Sequence, residues 1–142
     1  MIPSESKITP MQLLEEAKKA RERSYAPYSQ CRVGAALLTA DGRIYLGCNI
    51  ENAAFGPTVC AERVAIFKAV SEGVRGFAAI AVVGGKSAGT SGTFPPCGVC
   101  RQVLREFCSP EEMTVILEKD DGSPLLLTLA DLLPHSFGPD FL

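Results

Sequence analysis

Apolar residues recur along this chain with two different periods, and the switches between them outline a fold. Leu13, Ala17 and Ala20 are spaced by four and three, a stripe down one side of a helix, with Lys18, Lys19, Arg21 and Glu22 falling mainly outside it. Thr9-Pro10-Met11-Gln12 marks its start: a Thr cap, Pro at the first helical position, and Gln where a capping box needs it. That helix must end before Pro27. Runs 33–39 and 43–48 are strand-like, and Asp41-Gly42 between them favours a tight turn, so the pair predicts an antiparallel hairpin. A second helix is expected from near Cys60 to Gly73, a residue suited to the left-handed position after a helix. Residues 77–83 form a continuous apolar run, the pattern of a strand buried on both faces.

The segment 86–93, rich in Gly, Ser and Thr, reads as a mobile loop within the domain. A third helix over 97–107, a strand over 114–118, a turn at Asp121-Gly122, a strand over 125–128 and a short helix over 129–133 complete the pattern. Strands interleaved with helices after an opening hairpin predict an α/β fold. Its expected form is a three-layer α/β/α sandwich with a mixed sheet of about five strands.

At 142 residues the chain reads as one domain over 1–142, large enough to bury roughly two thirds of its unfolded surface. Residues 1–10 carry no apolar signal core, and the run 77–83 is too short to cross a bilayer, so a cytoplasmic protein with no membrane partner is expected. Lys and Arg total 14 against 16 Asp and Glu, a net charge of -2, and Trp is absent. That balance lacks the basic footprint of a nucleic-acid binder and favours a small neutral substrate.

Six cysteines would suggest disulfides in a secreted chain; without a signal sequence they more often bind metal or stay reduced. Three fall in Cys60-Ala61-Glu62 and Pro96-Cys97-Gly98-Val99-Cys100, with 36 residues between Cys60 and Cys97. They offer one ion three thiolates and leave a carboxylate free beside it. Structural zinc sites usually close with four protein ligands, whereas catalytic ones keep a position open. Helix N-termini at Cys60, and at Cys97 and Cys100 in the first turn of the third helix, would favour the thiolate form. Glu62 is two residues from Cys60 and cannot share its face on a regular helix. Either Cys60 is a non-helical cap or Glu62 bends across the site. Cys31, Cys48 and Cys108 are left over and read as small apolar residues.

Around these fragments stand Cys48-Asn49-Ile50-Glu51-Asn52-Ala53, Arg63 after Glu62, and Arg101-Gln102 after Cys100. Ala26-Pro27-Tyr28-Ser29 leads into Val33-Gly34-Ala35-Ala36, and Leu132-Leu133-Pro134 precedes Phe137-Gly138-Pro139. Together these blocks, over roughly residues 10 to 142, resemble the small cytidine deaminases that act on free nucleosides.

The resemblance implies one Zn²⁺ per subunit on Cys60, Cys97 and Cys100, with Arg63 donating to the sulfurs. It implies Glu62 as the proton relay of a hydrolytic deamination: a proton goes from water to ring N3, hydroxide attacks C4, and ammonia leaves. It places Asn49 and Glu51 on the ribose 3′-hydroxyl and Ala61, Cys31, Phe55 and Pro95 at substrate-contacting positions. Phe137 would reach a neighbouring subunit's pocket, in a homotetramer, to stack on the base.

Each residue also has a plainer reading: Arg63 as a solvated helix side chain, Asn49 and Glu51 as a polar turn, Phe137 as core packing, and His135, not needed as a ligand, as a surface or interface residue. Three positions depart from the family. Cys31 stands where a Phe usually lines the base, a loss of about 1 kcal/mol of contact. Phe55 stands where Tyr is common, and Pro95 replaces a frequent Ser. These departures keep another aminopyrimidine nucleoside, such as blasticidin S, open as substrate. A structural zinc module would need Cys108 or His135 as fourth ligand. Redox chemistry at Cys97-Gly98-Val99-Cys100 and nucleic-acid editing are less consistent with the motif set and the acidic balance.

Overall fold

The computed structural model describes residues 2, 7–86 and 92–142. The first helix, α1 (Pro10–Arg21), starts where its capping box places it: Gln12 N donates to Thr9 Oγ1 at 3.1 Å and Thr9 N to Gln12 Oε1 at 2.8 Å. There follow β1 (Arg32–Thr39), β2 (Ile44–Cys48), α2 (Ala61–Ser71), β3 (Phe77–Gly85), α3 (Gly98–Phe107), β4 (Thr114–Glu118), β5 (Pro124–Thr128) and α4 (Leu129–Leu132). A single 3₁₀ turn, Pro139–Phe141, comes last and has no counterpart in the sequence reading.

The five strands form one mixed sheet in the order β2-β1-β3-β4-β5. β1 is antiparallel to β2 and β3, β3 is parallel to β4, and β4 is antiparallel to β5. Alternate residues of the central strands serve opposite faces. Ala36, Leu38, Ala79, Ala81, Val83 and Ile116 pack against Leu13, Leu14 and Ala17 of α1. Ala35, Leu37, Ile80, Val82, Val115 and Leu117 pack against Ala61, Ala65, Ile66 and Ala69 of α2, Leu104 of α3 and Leu129 of α4. Helices therefore cover both faces, the expected three-layer arrangement. β3 is buried from Ala78 onward, as an apolar run between two helical layers must be.

The boundaries differ from the sequence reading in instructive places. β3 runs on through Gly84 and Gly85, two residues past the apolar run, because they continue the ladder with Val33 and Arg32 of β1. Arg43 belongs to the hairpin turn, its N–H bonded to Thr39 Oγ1 at 2.8 Å. Cys97 is the cap of α3 and lies outside its first turn. Within the segment read as a mobile loop, 87–91 lie outside the described residues.

Strand direction brings the two cysteine-bearing segments together. β2 and β3 are each antiparallel to the β1 strand between them, so they run the same way. The chain leaves both at one edge of the sheet, and α2 and α3 begin from that edge. Two helix N-termini thus arrive side by side. Among the described residues, no helix is long and apolar enough to cross a membrane.

Candidate active site

Cys60 and Cys97 cap the two neighbouring helices in the same way. Both have extended backbone, φ -78°, ψ 156° and φ -68°, ψ 166°, and neither side chain caps its own helix. Neither thiol is used to cap a backbone N–H, which leaves both sulfurs for other partners. Cys100, one turn into α3, is fully buried. The three Sγ atoms lie within 4.8 Å of one another, and Cys60 and Cys97 are 3.8 Å apart. Tetrahedral zinc with bonds of about 2.3 Å holds its sulfurs about 3.8 Å apart, so this donor set fits that ion.

The cap position of Cys60 also answers the spacing problem. With Cys60 outside the helical repeat, Glu62 at the second helical position turns toward the cluster and makes a hydrogen-bond contact with the Cys100 thiol. Glu62 is only 3% exposed. Burial pushes its carboxyl pKa up, and negative charge on Cys60 adds to the effect. Arg63 Nη2 donates to Cys60 Sγ at 3.3 Å. The Cys60 thiol is pulled down to about 5, first by its bond from Cys100 and then by Arg63 and Cys97, while the same bond and burial push Cys100 up. Arg63 and the neighbouring thiols thus favour the thiolate form of Cys60.

A second group of predicted residues is tied to the first through the loop between β2 and α2. Ile50 and Val59 exchange backbone hydrogen bonds at 3.0 Å, which holds the 49–51 stretch beside Cys60. Asn49 braces the start of β1, its Nδ2 donating to the Cys31 carbonyl and its Oδ1 accepting from Val33 N, both at 2.8 Å. One amide hydrogen and one oxygen lone pair of Asn49 stay open. Glu51 Oε1 accepts from Tyr28 N at 2.9 Å and Ser29 N at 3.1 Å, and its Oε2 accepts from the Ser29 hydroxyl. These donors, the hydroxyl first, hold the Glu51 carboxyl below its ordinary range.

Glu51 lines a hollow of about 370 Å³ with Tyr28, Ser29, Phe55 and Thr58. Phe55 has a left-handed backbone, φ 59°, is 71% exposed, and meets Tyr28 edge to face at 6.2 Å. Cys31 is half-buried at the end of the same loop, its N–H bonded to Ser29 Oγ at 3.0 Å. Pro95 is exposed just ahead of the buried Pro96. Ala61, fully buried, sits at the first position of α2, where a helix N–H has no intrahelical partner.

Phe137 stands apart from this hollow. It stacks on Phe141 at 5.7 Å, and its carbonyl accepts from Gln102 Nε2 at 2.9 Å. Core packing does not describe it, since it is 57% exposed. Ser29 and the Tyr28 N–H as partners of Glu51 are invisible to a sequence reading: they lie 22 and 23 residues away in sequence, and no spacing rule joins them. Arg101 stands out in the sequence only as a neighbour of Cys100, yet its Nε donates to the Pro96 carbonyl at 2.8 Å and its Nη1 to the Leu132 carbonyl at 2.6 Å, fixing the approach to Cys97.

The two candidates for a fourth ligand are elsewhere. Cys108 caps the far end of α3, about 15 Å along a helix of this length, and burial pushes its thiol up to about 12. His135 is exposed beside Arg105 and Phe141. Among the described residues, the thiols of Cys60, Cys97 and Cys100 are the group that could hold a metal.

Three protein ligands leave tetrahedral zinc an open position, and a buried carboxyl beside it gives that position a proton acceptor. In an α/β protein this arrangement is, in class, a catalytic zinc site with one position open to water or substrate. Residues 8–117 match the cytidine and deoxycytidylate deaminase zinc-binding region, and the chain belongs to that family. It is 55% identical over 130 residues to a cytidine deaminase of Sporosarcina psychrophila, covering 92% of both chains. It is 51% identical over 125 residues to one of Halalkalibacterium halodurans, covering 88% of this chain and 91% of the other. A crystal structure of cytidine deaminase from Burkholderia pseudomallei superposes with a TM-score of 0.83 at 48% identity, over 92% of this chain and 100% of that one.

Proposed function

We propose that the protein converts cytidine and 2′-deoxycytidine, with water, to uridine and 2′-deoxyuridine and ammonia. The observation that carries this reading is the buried Glu62 carboxyl, with its raised pKa, against three convergent thiols. When bound by Cys60, Cys97 and Cys100, zinc supplies the Lewis acidity that makes water a nucleophile near neutral pH. Glu62 takes one proton from water and passes it to ring N3 as oxygen adds at C4. It then takes the second proton from the new C4 hydroxyl and delivers it to the amino group, which leaves as ammonia while the C4 carbonyl forms. A carboxyl whose pKa lies above the usual range can hold that proton between steps. Arg63 offsets the negative charge of the thiolates through Cys60.

Asn49 and Glu51 take the ribose, Ala61 the base through its helix-start N–H, and Cys31, Phe55 and Pro95 surround them. Glu51 is the charged group among the residues lining the hollow, so a 5′-phosphate would meet a carboxylate with no lining cation to offset it. This favours nucleosides over nucleotides. Phe137 acts from a neighbouring subunit of a homotetramer; the exposure of Phe55, Phe67, Phe137 and Phe141 supports surfaces covered by other copies. The protein acts in pyrimidine salvage in the cytoplasm, a reducing compartment that fits six free cysteines. The whole of 1–142 acts as one catalytic domain, without nucleic-acid or membrane partners.

The test is the ultraviolet absorbance change on mixing the protein with cytidine, deoxycytidine, deoxycytidine 5′-phosphate and blasticidin S, with Glu62→Ala as blank. Turnover of the two nucleosides alone supports the reading. Turnover of blasticidin S in their place would assign Cys31 and Phe55 to a different substrate.

A further inference from the structure

We propose that Gly47 is a positioning residue for the metal site, setting the position of the first turn of α2, and with it Cys60 and Glu62, relative to the ligands on α3. The inference rests on the zinc reading of Cys60, Cys97 and Cys100 and concerns a residue that touches neither metal nor substrate.

Gly47 lies in β2, buried and paired with Ala35 of β1. A Cβ there would lie 2.2 Å from the Ala61 carbonyl oxygen, 2.7 Å from Ala65 N and 3.1 Å from Ala65 Cβ. Two of these three atoms are backbone. The obstacle is therefore not a side chain that can swing aside but the body of the helix in its first turn. Ala61 is the residue between Cys60 and Glu62, and the helix bond that begins the turn runs from Val64 N to the Cys60 carbonyl at 3.2 Å. Strand and helix meet without a side chain between them, and the contact falls under the residues that carry the chemistry.

The consequence is geometric. Cys97 and Cys100 are held separately, by α3 and by the Arg101 bond to Pro96. A methyl group at 47 moves the α2 half of the site and leaves the α3 half where it is. Sulfurs now 3.8 Å apart, matched to one tetrahedral ion, would separate.

The sheet supplies its own control. Gly34 of β1 faces the opposite layer, where a Cβ would lie 2.0 Å from the Ala17 carbonyl oxygen and 2.5 Å from Arg21 N of α1. The crowding is as severe, but α1 carries no ligand.

The experiment measures zinc affinity by chelator competition, and the thiolate-to-cobalt charge-transfer band of the Co²⁺ form, on wild type, Gly47→Ala, Gly34→Ala and Ala65→Val. The last adds volume at the same contact from the helix side and gives the reading should Gly47→Ala not fold. Circular dichroism defines the folded fraction of each. Gly47→Ala and Ala65→Val are expected to weaken zinc binding about tenfold or more per folded molecule and to shift the cobalt band. Gly34→Ala is expected to melt lower while keeping both readouts. Wild-type affinity in folded Gly47→Ala, or an equal loss in Gly34→Ala, overturns the inference alone. Failure of the wild type to bind zinc overturns the zinc reading with it.

Discussion

The guanidinium of Arg63, in the first turn of α2, reaches back to the thiol of Cys60 at the cap, with Nη2 donating to Sγ at 3.3 Å. The same side chain therefore stabilises a thiolate and removes part of the negative charge three sulfurs would place on an ion. Arg63→Gln keeps a donor of shorter reach and loses the charge. It is expected to lower zinc affinity or turnover by about 10- to 100-fold, measured by metal competition and steady-state kinetics. A turnover and affinity equal to wild type would return Arg63 to the role of a solvated surface residue.

Glu62→Gln preserves volume and hydrogen bonding but cannot carry the proton. Loss of kcat by about 10²- to 10⁴-fold is expected, with zinc content unchanged in elemental analysis. The folded state should not suffer, because the carboxyl has been buried at a cost that its neutral amide avoids. A substantial residual kcat would remove Glu62 from the proton path.

Ser29→Ala takes one of three donors from Glu51 and leaves the backbone N–H groups of Tyr28 and Ser29 in place. The carboxylate then has more freedom in the part of the hollow where we propose that the sugar binds. KM for cytidine is expected to rise by roughly three- to tenfold with kcat nearly constant. A fall in kcat at constant KM would show that Glu51 is not a ground-state contact.

The Glu51 carboxyl has a lowered pKa in the folded protein, chiefly through the Ser29 hydroxyl. Between the unfolded value of about 4.3 and the folded one, the unfolded chain binds more protons. The contribution of this contact to stability is therefore complete above the unfolded value and is lost as pH falls through the folded one. Carbon-13 titration of the glutamate carboxyls should show one resonance moving late on acidification, and in Ser29→Ala that resonance should move earlier.

Much of this architecture is legible locally. The Thr9 to Gln12 capping box fixes the start of α1, and residues 114–118 read as a strand because the run is short, apolar and bounded by turns. Gly73, with a left-handed backbone (φ 93°), likewise marks the end of α2. What local pattern cannot convey is who meets whom across long separations. Gly84 and Gly85 join β3 only because Val33 and Arg32 stand opposite them. Leu14, off the narrow stripe of α1, is fully buried because the sheet beneath is broad.

The site divides along the same line. The cysteines and Glu62 are visible because metal chemistry restricts ligand type and spacing. The Glu51 partners and the Arg101 bonds to Pro96 and Leu132 are not, since any donor that the fold brings near can serve. The exposed pair of Phe137 and Phe141 belongs to the same class, as their stacking depends on the terminal 3₁₀ turn that no pattern announced.

Cys60 and Cys97 are separated by 37 positions in sequence, and β3 lies between them. An ion shared by these thiols is therefore a reversible cross-link that closes a long loop around a central strand. Such closure restricts the unfolded ensemble most when the enclosed segment is long. The metal that equips the molecule for chemistry also restrains the ends of its central strand, so scarcity of zinc would be felt as lost resistance to heat and proteolysis as well as lost turnover.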